Sequence, residues 1–576
     1  MKKETEKKAT EKLLEKAREH YKILSAAESD IKDAFIKDMK FAFNIGSGQW
    51  DEADVTARDE EGRPHLTMNK LAKFVAQVVN AEKGLPNTDD IIPVDDKGDI
   101  QVARIYNELI QDIEYRSEAE DVYSMAAEHA AGGGFGYWRI LTEYCADGFD
   151  QEIKIKPIKN PCMVSLDPKG NFAFIREALS EEEFKEQYPE SEMTDFESYS
   201  GNEDYELWYQ DNKVFIAEYF VKVPKEKEIV EIQNPVTGET GVAEKIDEHQ
   251  FDNLKILRTR KVQTYELKWY KISGTERLDE GIWPGTEIPI VEVSGHEIHL
   301  LGKTYKKSLI TDAKDGQKMY NYWLTSLTEK VALAPKAPFI VTPQQIKGFE
   351  DDWKNANRKN LPFLQVNPGG QGLPQRTPVA SIDPGAMTML NIANQDIKDI
   401  LGMYESSLGM QSNERSGKAI NARNSRSDLG VYSFQENLRK AKIKTKKILI
   451  ELIPKIYDNA RIIRLRGVDQ NIQINYPVMI NGQPAIFNDL SKGRYDIRVR
   501  SAGSPSRRQQ TADNIIQAMQ YAGPQYAPVL LPLLMKYLDV PGSEEIAGAI
   551  MQAIQSQSQA QSPGGQPQGQ PQMGTQ

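Results

Sequence analysis

With 576 residues, 39% of them apolar and 27% charged, the chain can bury several cores and reads as three or four domains. Its formal charge of −12 excludes a protein whose whole surface grips nucleic acid. Cys145 and Cys162 are too few for a disulfide framework and lack metal-ligand spacing, which points to folding in a reducing compartment.

The start, MKKETEKKATEKLLEKAREHYK, alternates charge and has no apolar core, so it is not a signal peptide. The strongest apolar run, APVLLPLLMKYL, is broken by proline and lysine and falls short of the roughly 18 residues of a membrane span. The expectation is a soluble protein made in a cytoplasm, with no membrane partner. Residues 4–43 read as a helix with a break near Ser25 to Ser29. RDEEGRPHLTMNKL is a turn leading into a helix through Ala81. Ile105 to Ala131 reads as one helix, with Tyr115, Ala119, Val122, Tyr123 and Ala126 on a shared side, stopped by AGGGFGYWRI. From Gln151 to His299 the texture turns to β: EIKIKPI, KVFIAEYFVKV and VQTYELKWYKI carry β-branched and aromatic residues, with NPVTGETG as a hairpin turn.

The centre of the chain is Lys306 to Pro454. Tyr320, Trp323, Leu324, Leu327 and Val331 recur at helical spacing, with Thr311, Asp312 and Asp315 as a capping-type start. Pro335 and Pro338 end that pattern, and a Pro-rich insert of small mixed structure follows. Ala393, Ile397, Ile400, Leu401, Tyr404 and Leu408 then lie on one face of a second helix, so the insert is a tip held by two helical legs. After the polar loop GMQSNERSGK, Ala419 to Ile453 reads as a helix of roughly 50 Å. Its stripe is Val431, Phe434, Leu438, Ala441, Thr445, Ile448 and Leu452, with Gly430 as a weak point. Such a helix spans a large domain or lies against neighbouring subunits. RIIRLRG, QINYPVMINGQPAIFNDL and RYDIRVRSAG read as strands, Ser506 to Gln555 as helices, and the Gln/Pro/Gly-rich end as disordered.

Between Gln411 and Lys447 there are ten Lys or Arg against three acids. In an acidic chain this marks either a solvated helix face or a local nucleic-acid contact. Enzyme signals fall away one by one. SGKAI lacks the first glycine and the hydroxyl of a phosphate loop, where Ser412 and Ala419 stand instead. His296 and His299 in GHEIH miss the i, i+4 spacing of a zinc helix and read as polar residues near a turn. GGGFG follows a helix and lacks dinucleotide spacing. Asp89/Asp90, Asp95/Asp96 and Asp351/Asp352 sit among turn residues as solvated acids. The expectation is no catalytic residue, no cofactor and no metal.

Several segments, in order, resemble the portal or head-to-tail connector proteins of short-tailed double-stranded-DNA bacteriophages. They are RPHLTMNKL (63–71), IEYRSEAEDVYSMAAEHAAGGGFGYWRI (113–140), IWPGTEIPIVEVSG (282–295), SLITDAKDGQKMYNYWLTSLTEKVALAPKAPFI (308–340), SGKAI (416–420) and GRYDIRVRSAGSPSRRQQ (493–510). The resemblance implies an α+β, mainly α portal fold. Residues 1–305 would be a helical and β-rich wing, 306–334 and 386–408 two stem helices, and 335–385 the clip between them. A tunnel loop would follow at 409–418, a long wing helix and β segment at 419–505, a crown at 506–554 and a disordered tail at 555–576. The short crown departs from family members that carry a long helical barrel.

The resemblance further implies a ring of twelve copies at one capsid vertex of the virion, through which double-stranded DNA is packaged and ejected. Its partners would be the terminase large subunit, major capsid and scaffolding proteins, and tail or adaptor proteins. Arg415, Lys418, Arg423 and Arg426 would face the DNA channel, and Trp353, Lys354, Arg358 and Lys359 the docking partner at the clip. Two alternatives from other classes are a scaffold protein oligomerising through its long helix and a nucleotide-binding enzyme using the SGKA loop.

Overall fold

The computed structural model describes residues 2–46, 48–83, 90–95, 98–145, 148–191, 209–210, 213–233, 240–244, 255–332, 339–356, 359, 361–368, 372–376, 384–402, 417–464, 471–480, 483–498, 505–522, 530–531 and 534. They fall into two compact units. The first holds residues 1–82, 90–401 and 431–498.

It opens with α1 (Lys2–Phe43). Leu14, Ala17, Tyr21 and Leu24 are buried at alternating steps of three and four, and pack on Phe174, Ala217 and Tyr219 of a sheet. The break expected near Ser25 to Ser29 does not occur. That stretch contains neither glycine nor proline, and Glu28 bridges Lys32 one turn on at 2.9 Å. After α2 (Glu52–Glu60), α3 (Leu71–Lys83) and β1 (Asp90–Pro93) come α4 (Ile100–Arg116) and α5 (Ala119–Gly133), where one helix was expected. Glu118, at φ 50°, breaks them apart, and the neighbouring Ser117 hydroxyl accepts the Ile155 amide at 3.0 Å. Hydrophobic spacing runs through that break and so conceals it.

β2 (Phe135–Tyr144) lies between β3 (Gln151–Pro157) and β11 (Ile290–Ser294) in an antiparallel sheet. Two glycines let α5 sit close. A Cβ on Gly133 would fall 2.3 Å from the Phe35 ring, and one on Gly136 2.1 Å from the Ala126 carbonyl oxygen. The larger sheet runs in the order β10 (Arg277–Trp283), β9 (Lys255–Ile272), β7 (Lys213–Gln233), β5 (Phe172–Ser180), β4 (Val164–Leu166). β6 (Tyr209–Gln210) and β8 (Thr240–Glu244) also pair with β7, and α6 (Glu181–Gln187) follows β5 with a Ser180/Glu183 capping box. The predicted turn NPVTGETG joins β7 to β8 but its centre is outside the described residues.

β12 (His296–Leu300) and β13 (Lys303–Lys307) form a hairpin, so Lys306 belongs to a strand and not to the first long helix. That helix, α7 (Lys314–Ala332), begins after a 3-10 turn at Thr311–Ala313. The insert holds β14 (Phe339–Ile340), α8 (Pro343–Ile346), α9 (Glu350–Asn355) and β15 (Gln375–Arg376). α10 (Pro384–Leu401) returns from it. α11 (Gly417–Ile456) ends two residues past Pro454 and is helical through Gly430. Its stripe is as predicted where side chains are described: Phe434, Leu438, Ala441, Thr445, Ile448 and Leu452 are buried, in one core with α4, α5, β2 and β11. β16 (Arg461–Arg464) pairs with β17 (Asn471–Ile474), β18 (Tyr476–Ile480) with β19 (Gln483–Phe487), and β20 (Tyr495–Arg498) with β1.

The second unit takes in residues 83–89, 402–430 and 499–576. Its described part includes the start of α11 and α12 (Pro505–Ala522), where Ala512 and Ile515 share a small core with Leu534.

Candidate functional site

The two helical legs pack directly on each other. Gly316, near the start of α7, lies against Ile397, near the end of α10: a Cβ there would come within 3.1 Å of Ile397 Cγ1, so the legs run antiparallel. On α10, Ala393, Ile397 and Leu401 are buried as expected, while Ile400 is half exposed. Tyr404 and Leu408 lie outside the described residues.

The buried seam of α7 is not the predicted one. Of the apolar set, Leu327 is buried and Tyr320, Trp323 and Leu324 are half-buried, the Val331 side chain lying outside the description, whereas Gln317, Asn321 and Thr325, all at 0% exposure, form a polar ladder four residues apart. The ladder binds the backbone of residues 64–70, a strap in neither helix nor sheet. Leu66 N–H donates to Thr325 Oγ1 (3.0 Å), Met68 N–H to Asn321 Oδ1 (3.1 Å) and Lys70 N–H to Gln317 Oε1 (3.2 Å). Gln317 Nε2 donates in return to the Met68 carbonyl (2.9 Å). The match is geometric. Two residues of extended chain advance about 6.6 Å and four residues of helix about 6 Å, so alternate strap amides meet every fourth helix side chain.

Both ends of α7 are tied as well. Asp38 of α1 accepts from Ser308 Oγ (2.6 Å) and Thr311 Oγ1 (2.7 Å) and pairs with Lys314. At the other end Glu329 takes Arg63 at 2.7 Å and Arg58 at 3.5 Å. Lys70 stands 4.0 Å above the Tyr320 ring and reaches Asn394 of α10, so the strap touches both legs. Apolar periodicity alone does not reveal this seam. The signal lies instead in three amide or hydroxyl side chains at i, i+4 and i+8, which share one helical face.

In the insert, β14 and β15 pair, and Gln345 donates to the Gly372 carbonyl at 2.9 Å. Trp353 is half-buried. Its indole N–H donates to the Gln365 carbonyl (2.8 Å) and its ring meets Phe339 edge-on at 5.2 Å, so it holds the insert together. Lys354 and Lys359 are exposed, and Arg358 is outside the described residues. Ile340, Phe363 and Leu373, not singled out from sequence, are 65%, 69% and 79% exposed.

Arg415 lies outside the described residues. Lys418, Arg423 and Arg426 lie on the α11 backbone, their side chains undescribed. The rest of the basic run divides: Lys440, Lys444 and Lys447 are exposed, while Arg439, Lys442 and Lys446 are used inside the fold. Lys446 is buried, with its charge near Glu114, whose carboxyl is pushed up chiefly by burial and drawn back by Lys446 and by the Tyr123 hydroxyl. Lys442 lies 4.9 Å over the Tyr123 ring and Arg439 grips Glu436 through two bonds of 2.9 and 2.8 Å. α11 is further fixed by Trp138 Nε1 to Thr445 Oγ1 (2.8 Å), Asn437 to the Ser294 and Gly295 carbonyls (3.1 and 2.7 Å), and Thr286 to Glu451 (2.8 and 3.0 Å). Among the described residues no group of three or more His, Cys, Asp or Glu is placed to hold a metal. No described helix is long and apolar enough to cross a membrane.

A strap-bound pair of helices carrying a small insert, with a long helix fixed to the sheet beside them, is a framework. Comparison decides what the framework is: the model of the phage P22-like portal protein family matches residues 18–576. The chain belongs to that family. The portal protein family is structural. A curated portal protein of Acyrthosiphon pisum secondary endosymbiont phage 1 is 24% identical over 525 residues, covering 84% of this chain and 72% of the relative. Among solved structures, a chain from the virion of a native gene transfer agent particle overlaps 80% of this portal chain and 88% of its own length at 10% identity and TM-score 0.36. One from the neck of that particle does so at 9% and 0.32. Both overlaps are loose.

Proposed function

We propose that the chain is the repeating subunit of a ring of twelve at one vertex of a phage head, whose channel passes double-stranded DNA during packaging and ejection. The match to portal proteins over residues 18–576 is the observation that carries this reading. In it, α7 and α10 are the stem and the insert between them is the clip. The remainder of the first unit is the wing, which meets the major capsid and scaffolding proteins, and α12 begins the crown. The clip receives the terminase large subunit and later tail or adaptor proteins. Ile340, Phe363 and Leu373 supply exposed apolar area in the same insert as the exposed cations Lys354 and Lys359, a combination suited to exchanging protein partners. Arg358 and Trp353 join them, the latter by shaping the insert.

Arg415, Lys418, Arg423 and Arg426 guide the duplex. Each phosphate neutralised adds salt-dependent affinity, so a few cations on an acidic ring steer DNA without holding it. Light scattering and negative-stain imaging of the purified chain test the ring. About a dozen subunits around a central hole is the expected result, and a compact dimer to tetramer without a hole would overturn it.

A further inference from the structure

The chain leaving β3, residues 157–160, borders with β2, β5, β7 and β9 a partly open cleft of about 340 Å³. That volume is within the range of sites that hold small ligands. Its floor is apolar, made by the buried Ile158 and Ile216 and the half-buried Ile175.

The charges around the cleft do not cancel. Arg139 grips Glu218 through two bonds of 2.8 and 2.6 Å, and Trp269 Nε1 donates to the same carboxylate at 2.9 Å. Burial raises the Glu218 pKa, but Arg139, Trp269 and Lys271 outweigh it and hold the carboxyl below the usual range, so this acid stays ionised. Arg176 directs its guanidinium over the rings of Tyr21 (4.7 Å) and Phe215 (5.2 Å), toward α1. What remains is the exposed Lys159 and the half-buried Lys271, which stands opposite Glu218, against the exposed Glu177. None of these three makes an ion pair among the described residues, so two cations face one acid and a single positive charge is left over. Hydrogen-bond donors are in excess too. The Asn160 side-chain oxygen already accepts from the Cys162 amide at 3.1 Å, which leaves its NH₂ group as a donor, and Arg139 Nε is buried without a hydrogen-bond partner among the described residues.

We propose that this cleft binds a carboxylate carried on a short apolar stem, its oxygens accepting from Lys159 and Lys271 while the stem lies on Ile158, Ile175 and Ile216. A single residual charge matches a monoanion, whereas a phosphate dianion would meet Glu177 and Glu218 with too little positive charge to offset their repulsion. The apolar floor adds nothing for a bare inorganic ion and favours the hydrocarbon part of an organic one. The same chemistry occurs in a free branched-chain acid and in a Glu beside an apolar residue of another protein, and the test separates these sources. The inference stands apart from the ring reading, and the failure of one leaves the other in place.

Calorimetric titration of the purified chain with isovalerate and with the capped dipeptide acetyl-Leu-Glu-amide tests the cleft, each set against its neutral counterpart, isovaleramide or acetyl-Leu-Gln-amide. At least one carboxylate should bind about tenfold or more tightly than its counterpart and lose about tenfold in affinity in Lys271→Met and in Lys159→Met. Because Lys159 is exposed, its variant reads binding free of any change in folding. With the isoleucine δ1 methyls labelled, the Ile158 and Ile216 signals should move during the titration. Tighter binding of the dipeptide assigns the cleft to a protein-borne carboxylate, and tighter binding of isovalerate to a free acid. No binding of either carboxylate, equal affinity for acid and amide, a Lys159→Met chain that binds like wild type, or a titration that leaves both methyl signals in place would overturn the proposal.

Discussion

Asn321 makes three hydrogen bonds from a fully buried position: it accepts from Met68 N–H and Gln317 Nε2 and donates to Gln49 Oε1 at 2.8 Å. Replacing it with leucine, similar in volume, strands the Met68 amide and the Gln49 carbonyl oxygen. Because an orphaned buried group costs more than a made bond returns, Asn321→Leu should lower subunit stability by about 2–4 kcal/mol, read by urea unfolding. Glu292 offers a test with a sign. Burial raises its pKa, yet Lys306, Ser294 and Lys444 together outweigh burial and hold the carboxyl below the usual range. A folded pKa below the unfolded one gives stability that is present above the unfolded value and lost as pH falls through the folded one. Stability should therefore fall with acid through this group, below roughly pH 4.5. In Lys306→Met burial is left to dominate, the carboxyl titrates higher, and the variant should lose about 3 kcal/mol at pH 7 but progressively less toward pH 4. Stability curves of the two chains between pH 4 and 7 check this; parallel curves would sink it.

The strap and the ladder are elements that only tertiary structure joins. Amide exchange resolved by residue should show Leu66, Met68 and Lys70 protected within a stretch that is in neither helix nor sheet. Thr325→Val should release Leu66 first and leave Lys70, bound by Gln317, protected. Equal exchange at 66, 68 and 70 in both proteins would contradict the ladder. The same elements show what the sequence could and could not tell. The α11 stripe was legible because apolar burial and helical period coincide from Phe434 to Leu452. The α7 seam was not, because its buried residues are polar and what they bind lies some 250 positions away in the chain. The division of α4 from α5 was hidden as well, since Glu118 adopts a left-handed backbone with no glycine or proline to announce it. Lys306 reads as the start of a helix from sequence because the hairpin it closes turns on Leu301–Gly302, a weak turn signal. The insert was legible as a Pro-rich tip, but not its exposed Ile340, Phe363 and Leu373, which only packing identifies.

At the scale of the whole molecule the basic run divides in two. Its second half is partly structural: Lys442 and Lys446 serve the α4–α5–α11 core, Arg439 serves Glu436, and the exposed Lys447 approaches Asp496 at 3.8 Å, while Lys440 and Lys444 are exposed. Arg415, Lys418, Arg423 and Arg426 are the cations of this run proposed above to meet the duplex, and the two halves should fail differently. Lys446→Met takes the cation away from a buried carboxyl, so it should lower the melting temperature of the unassembled subunit by several degrees. Short DNA bound to whatever rings form should keep its salt dependence. Replacing Arg415, Lys418, Arg423 and Arg426 together with alanine should leave ring mass and melting temperature unchanged but flatten the fall of DNA binding with log salt, by about one unit for each phosphate no longer neutralised. An unchanged slope with altered stability would assign the first half of the run to the fold as well, and would remove these four residues from the channel.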